Sequence, residues 1–169
     1  MHNNSPDNPL SHSYSRTQLI VLVSLRLVIG WHFLYEGFVK LINPYWSSAA
    51  YLLESQGIFS SLFKSIAVSP TLLYVIDIIN IWALIIIGFC LITGLFTNIA
   101  TLSGAVLLLV YYICQPPFIG FIYSLPAEGN YLIVNKILIE TVALLVLFYF
   151  PSSKEFGIEY FLSRKKISK

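Results

Sequence analysis

Four runs of mostly apolar residues dominate the chain, roughly Thr17–Leu41, Thr71–Leu95, Asn98–Pro116 and Tyr131–Phe150. A helix rises 1.5 Å per residue, so about 20 such residues cross the hydrocarbon layer of a bilayer. Helix breakers fall between the runs: Asn43-Pro44, Ser69-Pro70, Gly94 with Asn98, Pro116-Pro117, Gly129-Asn130 and Pro151. The fold class expected from this layout is all-α, an integral membrane antiparallel four-helix bundle. The second connection is a tight turn, which makes spans two and three antiparallel neighbours.

Composition agrees, with 57% hydrophobic and 11% charged residues in 169, against about 25% charged in soluble domains. Residues 1–16 are polar and expected to be disordered. They are not read as a signal peptide, because the first run is too long, carries charges and lacks a cleavage site. Residues 17–151 form the membrane domain and 152–169 a basic tail with Arg164, Lys165, Lys166 and Lys169. That tail reads as a membrane-surface anchor, and a net charge of +2 gives no reason to expect a nucleic-acid partner. Between spans one and two, about Ser47–Ala67 reads as an additional amphipathic, interfacial helix with Gly57 as its break point. It lies on the interface or re-enters the bundle mouth, with Tyr45 and Trp46 as anchors at headgroup level. Lys and Arg near the span ends favour one side, through Arg16, Lys154 and the tail, over Lys40 and Lys64. Both termini are therefore expected to be cytoplasmic, in a multi-pass protein of a bacterial or archaeal inner membrane.

Charges inside these runs carry the functional signal: Arg26, Lys40 and Lys136 against Glu36, Asp77 and Glu140. An ion near the bilayer centre costs about 2.5–3.5 kcal/mol even on a lenient scale, so such residues face a protein interior and pair. On span one, Arg26, Gly30, His32, Phe33, Glu36, Gly37 and Lys40 share an arc of about 160° at 100° per residue. Gly30 and Gly37 would let another helix, or a flat ligand, approach the backbone. On span four, Lys136 and Glu140 are four apart and adjacent. Matching depths predicts Arg26 with Glu140. It also predicts a shallower cluster of Glu36, Lys40, Asp77 and Lys136, with Asn80, Asn135 and His32 nearby. The plain structural alternative is that these groups only hold helices together. Interhelical polar contacts average about 0.6 kcal/mol, poor glue for their insertion cost, which favours a ligand or proton pathway.

Several chemistries are pruned. His32 is the one histidine in a span and Met1 the sole methionine, so haem is not expected. A metal site would need the mixed set His32, Glu36 and Asp77, and a hydrogen-bonded core histidine is the plainer reading; no metal is assigned. Cys90 and Cys114 fall at depths differing by about 15 Å, too far for a disulfide. Nucleotide-binding glycine motifs and a nucleophile elbow are missing, so any chemistry must use a ligand within the bilayer. Aromatic residues such as Trp31, Trp82 and Tyr111 would line such a pocket or form an interfacial belt.

Two stretches resemble a known family. Arg26-Leu-Val-Ile-Gly30-Trp-His-Phe33-Leu-Tyr-Glu36-Gly37-Phe-Val-Lys40-Leu41 is similar to the opening signature of the DoxX/DoxD family of small four-helix membrane proteins. Gly129-Asn130-Tyr131-Leu-Ile-Val-Asn135-Lys136-Ile-Leu-Ile-Glu140 is similar to its fourth span. DoxD members resemble the small or fused subunit of thiosulfate:quinone oxidoreductase, and other DoxX proteins are linked to oxidative-stress complexes. The resemblance implies a quinone-linked oxidoreductase subunit with quinone as cofactor and a redox partner subunit. Arg26 or Lys136 would hydrogen-bond a quinone carbonyl, with Lys40, Asp77, Asn80 and Asn135 completing the binding set. Glu36, His32 or Glu140 would carry the proton. The alternative is a non-enzymatic small-molecule carrier or an assembly subunit, which as a carrier would work as a homo-oligomer.

The charge asymmetry generates a topological prediction. Reporters fused after Lys169 and within Pro117–Gly129 should score on opposite sides of the membrane; a common side would end the four-span reading.

Overall fold

A computed structural model describes residues 14–124 and 132–159. The expectations for the N-terminal segment through residue 13, for residues 125–131 and for the tail from residue 160 lie outside the described residues. Regular elements among the described residues are helical: α1 Arg16–Ile42, α2 Ala49–Leu53, α3 Ser60–Val68, α4 Pro70–Thr93, α5 Thr97–Cys114 and α6 Lys136–Tyr149, followed by a 3-10 turn over Ser152–Lys154.

Local chemistry sets the boundaries. Ser15 and Gln18 form a reciprocal capping box at the start of α1. The segment between α1 and α4 forms two helices, α2 and α3, and the expected break point Gly57 lies between them with a left-handed φ of +95°. Ser69 ends α3 and starts α4, with Pro70 in the first helical turn, where its missing N–H costs nothing. Gly94, at φ +71°, closes α4 by donating from its N–H to the Cys90 carbonyl at 2.9 Å. The sequence places the fourth span from Tyr131, but α6 starts at Lys136. Asn135 is extended there, and its side chain accepts from the Leu138 N–H at 2.9 Å as an N-cap. Leu132 stands in the left-handed region at φ +61° and breaks the run before it.

Helices α1, α4 and α5 are long and apolar enough to cross a membrane. The 14 residues of α6 reach about 21 Å at 1.5 Å each, less than a full bilayer core. α1 and α4 run antiparallel with their backbones in near contact. A Cβ on Gly88 would stand 2.4 Å from the Leu34 nitrogen and 2.7 Å from the Gly30 carbonyl oxygen. One on Gly37 would stand 3.0 Å from the Ile85 nitrogen. The small residues of span one thus admit a helix, which is how apolar helices associate when lipid removes the hydrophobic gain. α5 lies antiparallel to α6, with Gly104 opposite Leu144. Phe33, Leu84, Ile87, Leu91, Leu108 and Leu144 meet in the buried core drawn from all four of these helices.

The outer surface is apolar, with Val28, Trp31, Ile79, Ile86, Phe89 and Ile99 all more than half exposed. Arg26, Thr97, Thr101, Asn135 and Thr141 are buried instead. A contiguous apolar exterior of this extent is untenable in water and suits a lipid environment. α2 and the residues just after it close one end of α5 by donating to its last carbonyls, as helix termini require. Tyr51 donates its hydroxyl to the Tyr111 carbonyl at 2.9 Å, and Ser55 donates to the Cys114 carbonyl at 2.8 Å.

The glycine contact should be intolerant of any added side chain. Gly88→Leu is expected to destabilise the protein by about 1–3 kcal/mol or more through overpacking against α1, whereas Ile86→Ala on the lipid face should melt within about 0.5 kcal/mol of the parent. Equal melting of the two variants in detergent would refute the contact.

Candidate functional site

Antiparallel α1 and α6 place one imidazole against one carboxylate: His32 Nδ1 and Glu140 Oε1 are 2.7 Å apart. The Asn135 cap sets the phase of α6 so that Lys136 and Glu140 point to the same side. On α1, Glu36 and Lys40 form an ion pair one turn apart. These five residues line a cavity of about 200 Å³, floored by Phe33, Leu84 and Leu108.

A second cavity of about 370 Å³ adjoins it, and Lys40, Tyr111 and Ile137 belong to both. Its remaining wall comes from the α1–α2 connection at Trp46, Ser47 and Ser48, from Ala50 and Tyr51 of α2, and from Asn80 of α4. The Lys40 ammonium stands 5.6 Å from the Trp46 ring centroid, within cation–π range. Tyr111 donates its hydroxyl to the Asn80 side-chain oxygen. Burial pushes the Tyr51 phenol up, so it stays protonated and keeps donating to the Tyr111 carbonyl.

The structure therefore gathers His32, Glu36, Lys40, Lys136 and Glu140, with Asn80 in the adjoining space. It takes three expected members elsewhere. Arg26 does not pair with Glu140, whose carboxylate is held by His32. Arg26 is buried at the opposite end, where it donates to the Phe156 carbonyl at 3.0 Å and to Ser152 Oγ at 3.4 Å. Its guanidinium lies against Gly94, so it is level with the end of α4. Depth matching assumed that all spans begin in one plane, and α1 starts ten residues before Arg26, about 15 Å beyond the end of α4. Asp77 accepts from Ser47 Oγ at 2.8 Å, from the Ser48 N–H at 3.0 Å and from Ser48 Oγ at 2.5 Å. It fastens the α1–α2 connection to α4. Asn135 is the α6 cap.

Trp46, Ser48 and Tyr51 escaped the sequence reading as wall residues, because only the fold-back of α2 onto α5 brings them to the cavity. The Ser47-Ser48 pair before an apolar run was the one available signal, as a helix start. Cys90 and Cys114 are both free thiols. The assembled groups can hold and move a proton at the imidazole–carboxylate pair and donate hydrogen bonds from two ammonium groups to a ligand oxygen.

The revised pairing is measurable by double-mutant cycles on detergent melts. His32→Ala and Glu140→Ala should couple by about 0.6–1.7 kcal/mol, whereas Arg26→Ala and Glu140→Ala should add within about 0.5 kcal/mol. The reverse pattern would restore the Arg26–Glu140 pair.

A family model described as DoxX matches residues 21–115, which run from the second turn of α1 through the whole of α5. No curated protein and no solved structure matched the chain significantly. The matched stretch contains His32, Glu36, Lys40, Asn80 and Tyr111, while Lys136 and Glu140 on α6 lie beyond it. Since the match spans more than half of the residues, the chain belongs to the DoxX family.

Proposed function

We propose that this protein is the quinone-binding membrane subunit of a quinone-linked oxidoreductase, with the quinone head group in the smaller cavity. The observation that carries the reading is the His32–Glu140 pair at a 200 Å³ cavity that Lys40 and Lys136 also line. Polar groups converging in an apolar recess are the usual make-up of a small-molecule site. In this reading α6, with the residues before it, completes a four-helix bundle. Both termini lie in the cytoplasm of a cell whose inner membrane holds the protein, and the cavities open toward the outer face.

The donor set fits a quinone. Lys40 and Lys136 offer hydrogen bonds to its carbonyl oxygens and favour negative charge there, an effect that grows where water is excluded. Glu36 keeps Lys40 oriented through their ion pair. His32 and Glu140 hold a proton between them and pass it across a short hydrogen bond. Phe33, Leu84 and Leu108 give the recess a dry floor. A bound quinone supplies exchange of two electrons and two protons. The electrons come from a partner subunit, and thiosulfate or another reduced sulfur species is the donor class that family resemblance suggests. Arg26, Asp77 and Asn135, expected as ligand residues, serve the frame instead.

The test is to purify the protein in mild detergent, extract the co-purifying lipid for quinone, and titrate a short-chain quinone by tryptophan quenching. His32→Gln, Glu140→Gln and Lys136→Met should each weaken binding at least tenfold, equivalent to about 1.4 kcal/mol. Arg26→Lys should leave the affinity unchanged. Folded variants of the first group that bind like the parent would overturn the reading. A retained non-quinone ligand would favour the carrier alternative.

A further inference from the structure

The larger cavity adjoins the proposed head-group site through Lys40 and Tyr111, and its wall, apolar over most of its area, carries several polar side chains. Ser47, Ser48, Asn80 and Lys40 stand on it together with Tyr111. Its position is informative. One end is built from the α1–α2 connection, where the membrane-crossing length of α1 is complete and Tyr45 is 93% exposed. The other end meets Lys40 and Tyr111, which also line the cavity of the His32–Glu140 pair. A polar space holds water when it offers about 10–15 Å³ per probe and two to four polar partners for each molecule. At about 370 Å³ this one has room for several.

The way out in the other direction is closed. One turn from His32 and Glu140, toward the end where α1 begins, Ile29 and Leu144 are buried, Leu91 packs beside Gly30, and Leu147 lies beyond; the buried hydroxyls of Thr101 and Thr141 donate to carbonyls of their own helices. Phe33, 1% exposed, packs in the same layer. A proton leaving the pair on that side would have to cross this apolar layer before reaching Arg26.

We propose that the larger cavity is a water-filled vestibule that connects the His32–Glu140 pair to the aqueous phase at which α1 ends, and that protons enter and leave the pair from that side alone. Glu36 and Lys40 of α1, Glu140 and Lys136 of α6 and Tyr111 of α5 are the charged or titratable groups around His32 among the described residues, and α4 contributes the apolar Leu84. The vestibule delivers to the pair whatever ligand the smaller cavity takes, so it stands apart from the quinone reading.

The experiment uses the full chain in uniformly oriented proteoliposomes, with Cys90→Ala and Cys114→Ala as background and an impermeant cationic thiol reagent as probe. Tyr45→Cys marks the side at which α1 ends. Ile137→Cys, on the wall common to both cavities, should react from that same side. Adding Ala50→Trp, which fills the vestibule, should slow this reaction at least tenfold; Asn80→Leu serves as a second obstruction if Ala50→Trp fails to fold. In a parallel sample with His2→Gln and His12→Gln, the 15N resonances of His32 should follow the pH on the Tyr45 side when the two sides are clamped at different pH. Reaction of Ile137→Cys only from the opposite side, its inertness in folded protein, or a His32 signal that follows the opposite pH would each overturn the proposal. Neither readout involves a quinone, so failure of quinone binding leaves both interpretable.

Discussion

The near-contact of the α1 and α4 backbones at Gly30, Gly37 and Gly88 decides the rest of the structure. Once Gly30 and Gly37 face α4 and Gly88 faces α1, the rotation of α1 about its axis is set. His32, Glu36 and Lys40 then leave the helix roughly 80–160° away from Gly30, at 100° per residue. That is the direction of α6, and the carboxylate of Glu140 meets the imidazole there. Without side chains at the crossing, α1 and α4 pack closely enough for Phe33 to reach the shared core. The apolar layer and the ionic cavity are consequences of the same rotation.

The charged residues divide between two tasks at two ends. At one end, Arg26 is buried with neutral acceptors, the Phe156 carbonyl and Ser152 Oγ, and holds the segment after α6 against the α4–α5 turn. Gly94 and Gly157 are needed there because a Cβ on Gly94 would stand 2.9 Å from the Gly157 Cα. At the other end, Asp77 fastens the α1–α2 connection and α2 caps α5, which together build the vestibule wall. Between them lie the paired ions that face open space. Arg26 and Asp77 are bonded into the frame, whereas His32, Glu36, Lys40, Lys136 and Glu140 line a cavity.

Sequence alone determined much that depends on local rules. Length and hydropathy marked α1, α4 and α5 as membrane-length helices, Gly57 marked the break between α2 and α3, and Gly94 the tight turn. The i, i+4 spacing of Glu36 with Lys40, and of Lys136 with Glu140, placed each pair on one helix face, because helical periodicity is a property of consecutive residues. Tertiary structure decided the partners. Arg26 and Glu140 seemed level only when every span was taken to start in one plane, whereas α1 begins about 15 Å outside the end of α4 and the Asn135 cap delays α6 until Lys136. Helix ends and axial offsets come from caps and from packing between segments far apart in the chain. Hydropathy averaged over 20 residues cannot resolve an offset of six residues, which is the interval between Arg26 and the histidine that Glu140 meets. The vestibule likewise exists only because α2 folds back onto the last carbonyls of α5, a contact between residues about 60 apart in sequence that no local pattern encodes.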